Sequence, residues 1–371
     1  MRDHDLSKGH DTVECIRGRA SVVAFQALSQ SAADPRKLIM PPSIRLATLQ
    51  DLPAIVALLI QDAEARRSLD TVLWRIARDA SIRIEGVAGA ALNGSQASAR
   101  ELWYVAEHGD RIVGVTHAML VPVPPIYDSA AGSPGLLLDD CFISTDAPPG
   151  MADALLVATE AALMAAGAPR LIASCPAAGP LRPLYGRHGY APVTLYMVKH
   201  RLSRDGLPPG VRKAGVEDVP GIVKRSADHR RALARINPRF WHIHHEADSR
   251  FGAWMRRSLT FKDRDMFVAV AAGEVHGYVI AQPIAPLLVP AAHEITTIGL
   301  VDDFYDEDFV DIAALSTDAS SGTNLLVAAE GALARRGIDS ALVVCPAGWS
   351  SKISLLEQRG YRTAKLWMSR H

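Results

Sequence analysis

Apolar and polar positions alternate along this chain in an order that is written twice. A short strand at 44–47 leads to a helix whose entry holds Asp51 and Pro53, and the same order returns at 211–214 with Asp218 and Pro220. Aspartate at that point can accept from the free N–H groups of the first turn, and proline there has no N–H to lose, so both segments predict a helix start. A second helical stretch follows around Trp74 and Trp241. Period-two runs at 102–107 and 111–120, joined by Gly109-Asp110, predict a hairpin, and 266–271 and 274–282, joined by Ala272-Gly273, predict its counterpart. Each copy then offers a strand (about 135–144; about 295–305), a loop and an Ala/Leu-rich helix. A strand into a Cys-Pro-Ala corner follows, then a short helix ending at Gly189-Tyr190 or Gly360-Tyr361. A last strand (194–202; 364–370) closes the copy.

The repetition reaches individual residues. Ser144-Thr145-Asp146-Ala147 recurs as Ser316-Thr317-Asp318-Ala319, Leu155-Leu156-Val157-Ala158 as Leu325-Leu326-Val327-Ala328, and Cys175-Pro176-Ala177 as Cys345-Pro346-Ala347. Units this long are duplicated domains, not solenoid repeats. The expected fold class is α/β, of the α+β kind with a mixed sheet, in two tandem domains. Residues 1–43 match nothing in the repeat and form an N-terminal extension. Copy one is 44–202, a Pro/Gly-containing linker is 203–210, and copy two is 211–371.

Composition narrows the function. Lys plus Arg equals Asp plus Glu at 40 each, so there is no net field for nucleic acid or a membrane surface. No apolar run is long enough to span a bilayer, and the N-terminus lacks the apolar core of a signal peptide. The four cysteines, Cys15, Cys141, Cys175 and Cys345, form no close-spaced pair. A reduced, cytoplasmic protein with a small-molecule partner is the expectation, and homodimerisation is compatible with it.

Copy one has a candidate phosphate loop. Pro149, Gly150, Met151, Ala152, Asp153 and Ala154 open the Ala/Leu-rich helix, and small residues there let backbone N–H groups approach a diphosphate at the positive end of the helix. Asp139 and Asp140, consecutive on an apolar strand, are candidate bases. Neighbouring strand residues face opposite ways, so at most one enters a cleft. Their counterparts are Asp302 and Asp303 if the strands are matched, but the Ser144/Ser316 match sets Asp139 against Asp311. His117 is a weaker candidate base. His242, His244 and His245 lack the helical i, i+4 spacing of a metal site and read as a solvated face, so no metal is expected. Cys175 and Cys345 read as packing residues.

The order of elements, the Gly150-x-Ala152 loop and the ending Leu184-Tyr185-Gly186-Arg187-His188-Gly189-Tyr190 together resemble the GNAT superfamily of acyl-CoA-dependent N-acetyltransferases, over 44–202 and again over 211–371. The resemblance implies acetyl-CoA as acyl donor, its pyrophosphate on the Gly150/Ala152 loop, and a small-molecule amine as acceptor attacking directly. It implies that Tyr185 protonates the departing thiolate, a task suited to a phenol that stays protonated at neutral pH. The 121–134 loop, with three prolines in four residues, is expected to wall the acceptor pocket, and that loop and the helix around Trp74 to set specificity. There are departures. Ala147 stands where the family usually has Gln or Arg, and Ala178 falls near a common Asn. In copy two, Ser320 and Gly322 stand for Gly150 and Ala152, and Leu356 for Tyr185. Leucine donates no proton, so copy one is expected to work and copy two to be degenerate. The rival reading is a non-catalytic CoA- or ligand-binding scaffold of the same fold.

Overall fold

A computed structural model describes residues 43–94 and 101–370. The proposed extension therefore lies outside the described residues, apart from Ser43, which opens the first strand; Cys15 lies outside them too. The described residues belong to one compact unit. No helix of the described residues is long and apolar enough to cross a membrane.

Copy one runs β1 (Ser43–Leu46), α1 (Leu52–Leu69), α2 (Ala80–Asn93), β2 (Glu101–His108), β3 (Arg111–Leu120), β4 (Gly135–Leu137), β5 (Phe142–Ile143), α3 (Met151–Ala165), β6 (Leu171–Pro176), α4 (Leu181–Arg187) and β7 (Ala191–His200). Copy two runs β8 (Val211–Lys213), α5 (Val219–Ile236), α6 (Ala247–Ser258), β9 (Asp265–Ala271), β10 (Glu274–Pro283), β11 (Ile298–Asp306), α7 (Ser320–Arg335), β12 (Ser340–Pro346), α8 (Ser350–Gln358) and β13 (Arg362–Arg370).

Two local expectations change. Asp51 and Asp218 do precede their helices, but neither side chain caps one. Each carboxylate is turned back to an arginine, Arg45 at 2.7 Å for Asp51 and Arg212 at 2.6 and 2.7 Å for Asp218, and accepts a backbone N–H of the preceding turn. The two-point guanidinium contact outcompetes a helix N–H. Trp74 lies in a turn and Trp241 directly after one, not in helices. Asp70 accepts from the N–H of Val72 and Leu73, and Asn237 from that of Phe240, so a side-chain acceptor at the end of α1 and α5 shapes each turn.

The described strands join one sheet in the order β1-β2-β3-β4-β6-β13-β7-β12-β11-β10-β9-β8, with β5 beside β3. The last strands are exchanged. β13 of copy two lies between β6 and β7 of copy one, and β7 pairs with β12 of copy two. So the final strand of each copy does not close its own copy. Leu366 and Met368 of β13 pack with Leu137, Cys175 and Tyr185, while Met197 of β7 packs in the core of copy two. Reciprocal ion pairs to buried glutamates fasten the exchange: Arg370 reaches Glu160 at 2.7 Å, and Lys199 reaches Glu330 at 2.7 Å, with the Tyr361 hydroxyl donating to Glu330 at 2.9 Å.

Parallel pairing fixes the register that the sequence left open. Gly135 lies opposite Leu171 and Gly299 opposite Ala341. Both glycines let a helix leucine in close: a Cβ would stand 3.0 Å from Leu163 at Gly135 and 2.6 Å from Leu333 at Gly299. Gly135 therefore matches Gly299, and Asp139 matches Asp303. Asp311 lies in a loop.

Candidate active site

The sheet of copy one opens after β4. The chain leaves the ladder at Leu138–Cys141 and rejoins β3 as β5, and the Cys141 N–H donates to the Asp139 carbonyl at 2.8 Å. The expected continuous strand at 135–144 is thus split by a bulge. A bulge re-aims side chains, and here it separates Asp139 from Asp140.

On the α3 side of this opening, Leu137, Cys141, Ala152, Leu155, Leu156 and Tyr185 line a narrow cavity of about 10 Å³, room for about one water. Tyr185 is 1% exposed. Burial holds its phenol well above its ordinary pKa, so it stays protonated. Gly150 stands before α3 in a left-handed conformation (φ 82°), and a side chain there would meet nothing within 4 Å. No side chain caps α3; the Met151 N–H donates to the Pro148 carbonyl at 3.2 Å, and the next N–H groups have no partner earlier in the helix. Asp153 in the first turn is bound by His188 at 2.9 Å and approached by Arg187 at 3.6 Å, which offsets its charge. Pro149, Gly150, Met151, Ala152, Asp153 and Ala154 thus form one turn with an open, electropositive end.

Copy two differs at both points. Asp308 accepts from the Gly322 N–H at 2.7 Å and so occupies the start of α7 with its own carboxylate. Asp306 is fully buried beside it, accepts from Ser321 at 2.8 Å, and is pushed up to about 7 by burial and by Asp308. Asp306, Asp308, His276 and Asn324 line a cavity of about 210 Å³ there, an acidic surrounding that repels a diphosphate. Deeper in, Phe309 and Trp349 are fully buried and pack edge-on at 6.0 Å, and the Trp349 indole N–H donates to the Phe309 carbonyl at 2.9 Å. Lys352 is buried among Phe304, Phe309 and Trp349 and donates to the Phe304 carbonyl. Leu356 is fully buried in this cluster.

The opposite face of copy one carries the charged groups. Asp139 is 3% exposed and is enclosed by Lys365 of β13, Arg66 of α1 at 3.1 Å and the Ser174 hydroxyl at 2.8 Å. Burial alone would raise its pKa, but Lys365 and Arg66 hold it below the ordinary value. Arg66 also binds Asp62 at 2.6 Å, and burial pushes Asp62 up to about 6 against that pull. Asp139 is therefore spent on two cations. Asp140 turns the other way, to His117 Nδ1 at 3.3 Å, and His117 Nε2 meets Glu101 at 2.9 Å. The His117 ring stacks on Trp103 at 4.0 Å. Burial disfavours its cation, but the carboxylates of Asp140 and Glu101 outweigh burial and raise its pKa. Glu101 is held low by its hydrogen bond to His117, and its side chain is 38% exposed, so Asp140–His117–Glu101 is a hydrogen-bonded chain whose Glu101 end reaches solvent.

Around the split between β4 and β5, Tyr185 thus lies on one face and Asp139, Asp140 and His117 on the other, with Arg66, Lys365 and Glu101, which the motifs did not single out. A lone lysine within Ala364-Lys365-Leu366-Trp367-Met368 was a signal, since an apolar strand holds a charge only when a partner waits for it. The 121–134 loop does not wall this pocket. It crosses to copy two, where Tyr127 bridges Ile243 and the Asp128 N–H donates to the His242 carbonyl at 2.8 Å. Copy one receives the matching 284–297 loop of copy two instead: Ile76 bridges His293, and the Ala77 N–H donates to the Ala292 carbonyl at 2.9 Å. The ligand atoms of His244, His245 and Glu246 lie within 4.8 Å of one another, closer than their spacing led us to expect. Yet the Glu246 carboxylate is held by Arg250 at 2.7 Å and His244 Nδ1 accepts the Glu246 N–H. Burial pushes the Cys141, Cys175 and Cys345 thiols up to about 12, which makes them packing groups, not nucleophiles.

No family model and no curated protein matches the sequence. Solved structures do match. A GCN5-related N-acetyltransferase from Sphaerobacter thermophilus superposes with a TM-score of 0.51 at 14% identity, over 89% of this chain and 95% of that one. A tandem GNAT protein from the clavulanic acid biosynthesis pathway gives 0.45 at 14% identity, over 89% and 97%. A predicted acetyltransferase with acetyl-CoA from Clostridium acetobutylicum gives 0.33 at 16%, over 41% of this chain and 90% of that one. This chain has the GNAT acyltransferase fold, written twice.

Proposed function

We propose that copy one is an N-acetyltransferase that moves an acetyl group from acetyl-CoA to the amine of a small molecule by direct attack, and that copy two holds no donor. The carrying observation is the asymmetry of the two helix starts. That of α3 is open behind Gly150, whereas that of α7 is closed by Asp308 and backed by an aromatic plug. In this reading the turn from Pro149 to Ala154 receives the diphosphate through backbone N–H groups and the helix dipole. Tyr185 donates its proton to the leaving thiolate. The acceptor arrives as an ammonium ion and must lose a proton before attack. Asp140 takes it and hands it through His117 to Glu101 at the surface. Asp139, neutralised by Arg66 and Lys365, positions the bulge that presents Asp140.

Calorimetric titration with acetyl-CoA is expected to give one site per chain. Gly150→Glu abolishes it, because a charged side chain and a strained left-handed backbone both oppose the diphosphate, and Ser320→Glu leaves it intact. Two sites, or a site lost with Ser320→Glu, would contradict the assignment of copies. No binding at all would favour the scaffold reading.

The proton chain has its own test. The relay runs only when His117 is neutral, so activity falls as pH drops through its pKa. Glu101→Gln removes one of the carboxylates that raise that pKa, so it falls and the acid limb of kcat/KM moves to lower pH. A limb that stays in place in the variant removes His117 from the path.

A further inference from the structure

We propose that Asp306 and Asp308 of copy two form a proton-operated latch on the start of α7. One shared proton holds the two carboxylates together, and its loss frees the first turn of the helix and the segment that carries Phe309.

The latch stands where copy one has an apolar contact. In copy one Gly114 lies opposite Ile143, and a Cβ on that glycine would stand 2.7 Å from the isoleucine side chain. In copy two Gly277 lies opposite Asp306, and a Cβ there would overlap Asp306 Oδ2. The glycine thus leaves room for a carboxylate where its counterpart leaves room for a methyl group. Asp306 is fully buried, its Oδ1 accepts the Asp308 N–H at 3.0 Å, and its Oδ2 accepts the Ser321 hydroxyl at 2.8 Å. Asp308 in turn accepts the Gly322 N–H through Oδ2 at 2.7 Å.

No cation balances the pair. Among the described residues neither carboxylate has an ion-pair partner; Arg225 and His276, the cations beside them, are both taken by Glu307, His276 at 2.6 Å. The linker, β8, β9 and α7 present only uncharged residues to the cavity of about 210 Å³ that the two aspartates line. A buried carboxylate next to another, with no cation, keeps a proton, because burial and like charge both oppose the second negative charge. These two causes push Asp306 up to about 7.

The latch is tied to the aromatic cluster of copy two. The Asp308 carbonyl accepts the Ser316 N–H at 3.0 Å, and the next carbonyl, that of Phe309, accepts the Trp349 indole N–H at 2.9 Å. Closed, the pair holds its proton to about pH 7; open, both carboxylates are solvated and ionise in the ordinary aspartate range. The closed form is therefore favoured below about pH 4 and loses ground by up to about tenfold per unit as pH rises to about 7, with no further change above. The cavity has room for the water that an ionised pair draws in.

Hydrogen exchange of the full chain, read by mass spectrometry at about pH 5 and pH 7.5 and corrected for the intrinsic effect of pH, tests the latch. Peptides from 306–325 of the parent are expected to lose protection roughly tenfold or more across this interval. Asp306→Asn keeps an acceptor for the Asp308 N–H and removes the shared proton, so its protection in 306–325 should be level with pH. Asp308→Asn keeps an acceptor for the Gly322 N–H and removes the like charge, so it should flatten the profile too. An infrared titration, parent minus Asp306→Asn, should show a protonated-carboxyl band that is lost near neutral pH. A parent profile that is already level overturns the proposal, as does the same slope in parent and variants. If Asp306→Asn does not fold, Asp308→Asn serves as the reference for both measurements, and the absence of the band then overturns it as well.

Discussion

Replacing Tyr185 with Phe is expected to lower turnover by roughly 10²–10⁴-fold while leaving acetyl-CoA affinity unchanged, the range ascribed to a positioned acid. The hydroxyl is the only group the substitution removes, and the ring remains packed among Leu184, Tyr190 and Met368 in the same core. The phenol borders the cavity beneath the open start of α3, where the thioester would lie if the diphosphate sits on Gly150. Because burial raises its pKa, it never competes as a phenolate, and no basic limb in the pH profile is expected from it. Paired measurements decide the matter: titration for affinity and thiol release for turnover. Turnover at the parent rate in Tyr185→Phe would show that the thiolate leaves unassisted or is protonated by water. The reverse substitution in copy two, Leu356→Tyr, is expected to create no second site, because Phe309, Trp349 and Lys352 still fill the cleft and Asp308 still occupies the helix start.

The duplicated fold was legible because hydrophobic period and turn residues are local properties, and each copy repeated the other's. The split of the fourth strand was not. Its run Leu136-Leu137-Leu138-Asp139 looks continuous until Arg66 and Lys365 arrive from elsewhere to pull the carboxylate inward. The strand exchange was illegible for a different reason. β7 and β13 carry the same pattern and meet similar partners in β6 and β12, so pairing within or across copies satisfies the same periodicity. The exchange in turn sends each proline-rich or apolar loop across the seam, which is why the 121–134 loop was assigned to the wrong pocket. Glu101 and His293 carry no motif; only the folded arrangement brings them to His117 and Trp74. Tyr185 and the turn at Gly150 stand out as candidates in the sequence because their spacing lies within one copy.

Asp139→Asn separates a structural carboxylate from a catalytic one, and its expected effect is on stability. The native group is buried with Lys365, Arg66 and Ser174. Removing one partner of such a cluster leaves charge uncompensated in the interior, at a cost of about 3–5 kcal/mol. Arg66 keeps Asp62, so the burden falls on Lys365, which is left with the Leu288 carbonyl. Burial already lowers the pKa of Lys365, and without Asp139 it falls further. The unfolded chain then binds a proton at this lysine that the folded chain does not, so the variant gains stability as pH rises towards the ordinary lysine value. Urea unfolding of the variant at pH 7 and pH 9 should therefore show a deficit that shrinks at the higher pH. The double variant Asp139→Asn/Lys365→Met, which removes both charges, should recover much of it. Should Asp139→Asn unfold like the parent yet lose turnover, Asp139 would be the base, and the chain through Asp140, His117 and Glu101 would lose its role.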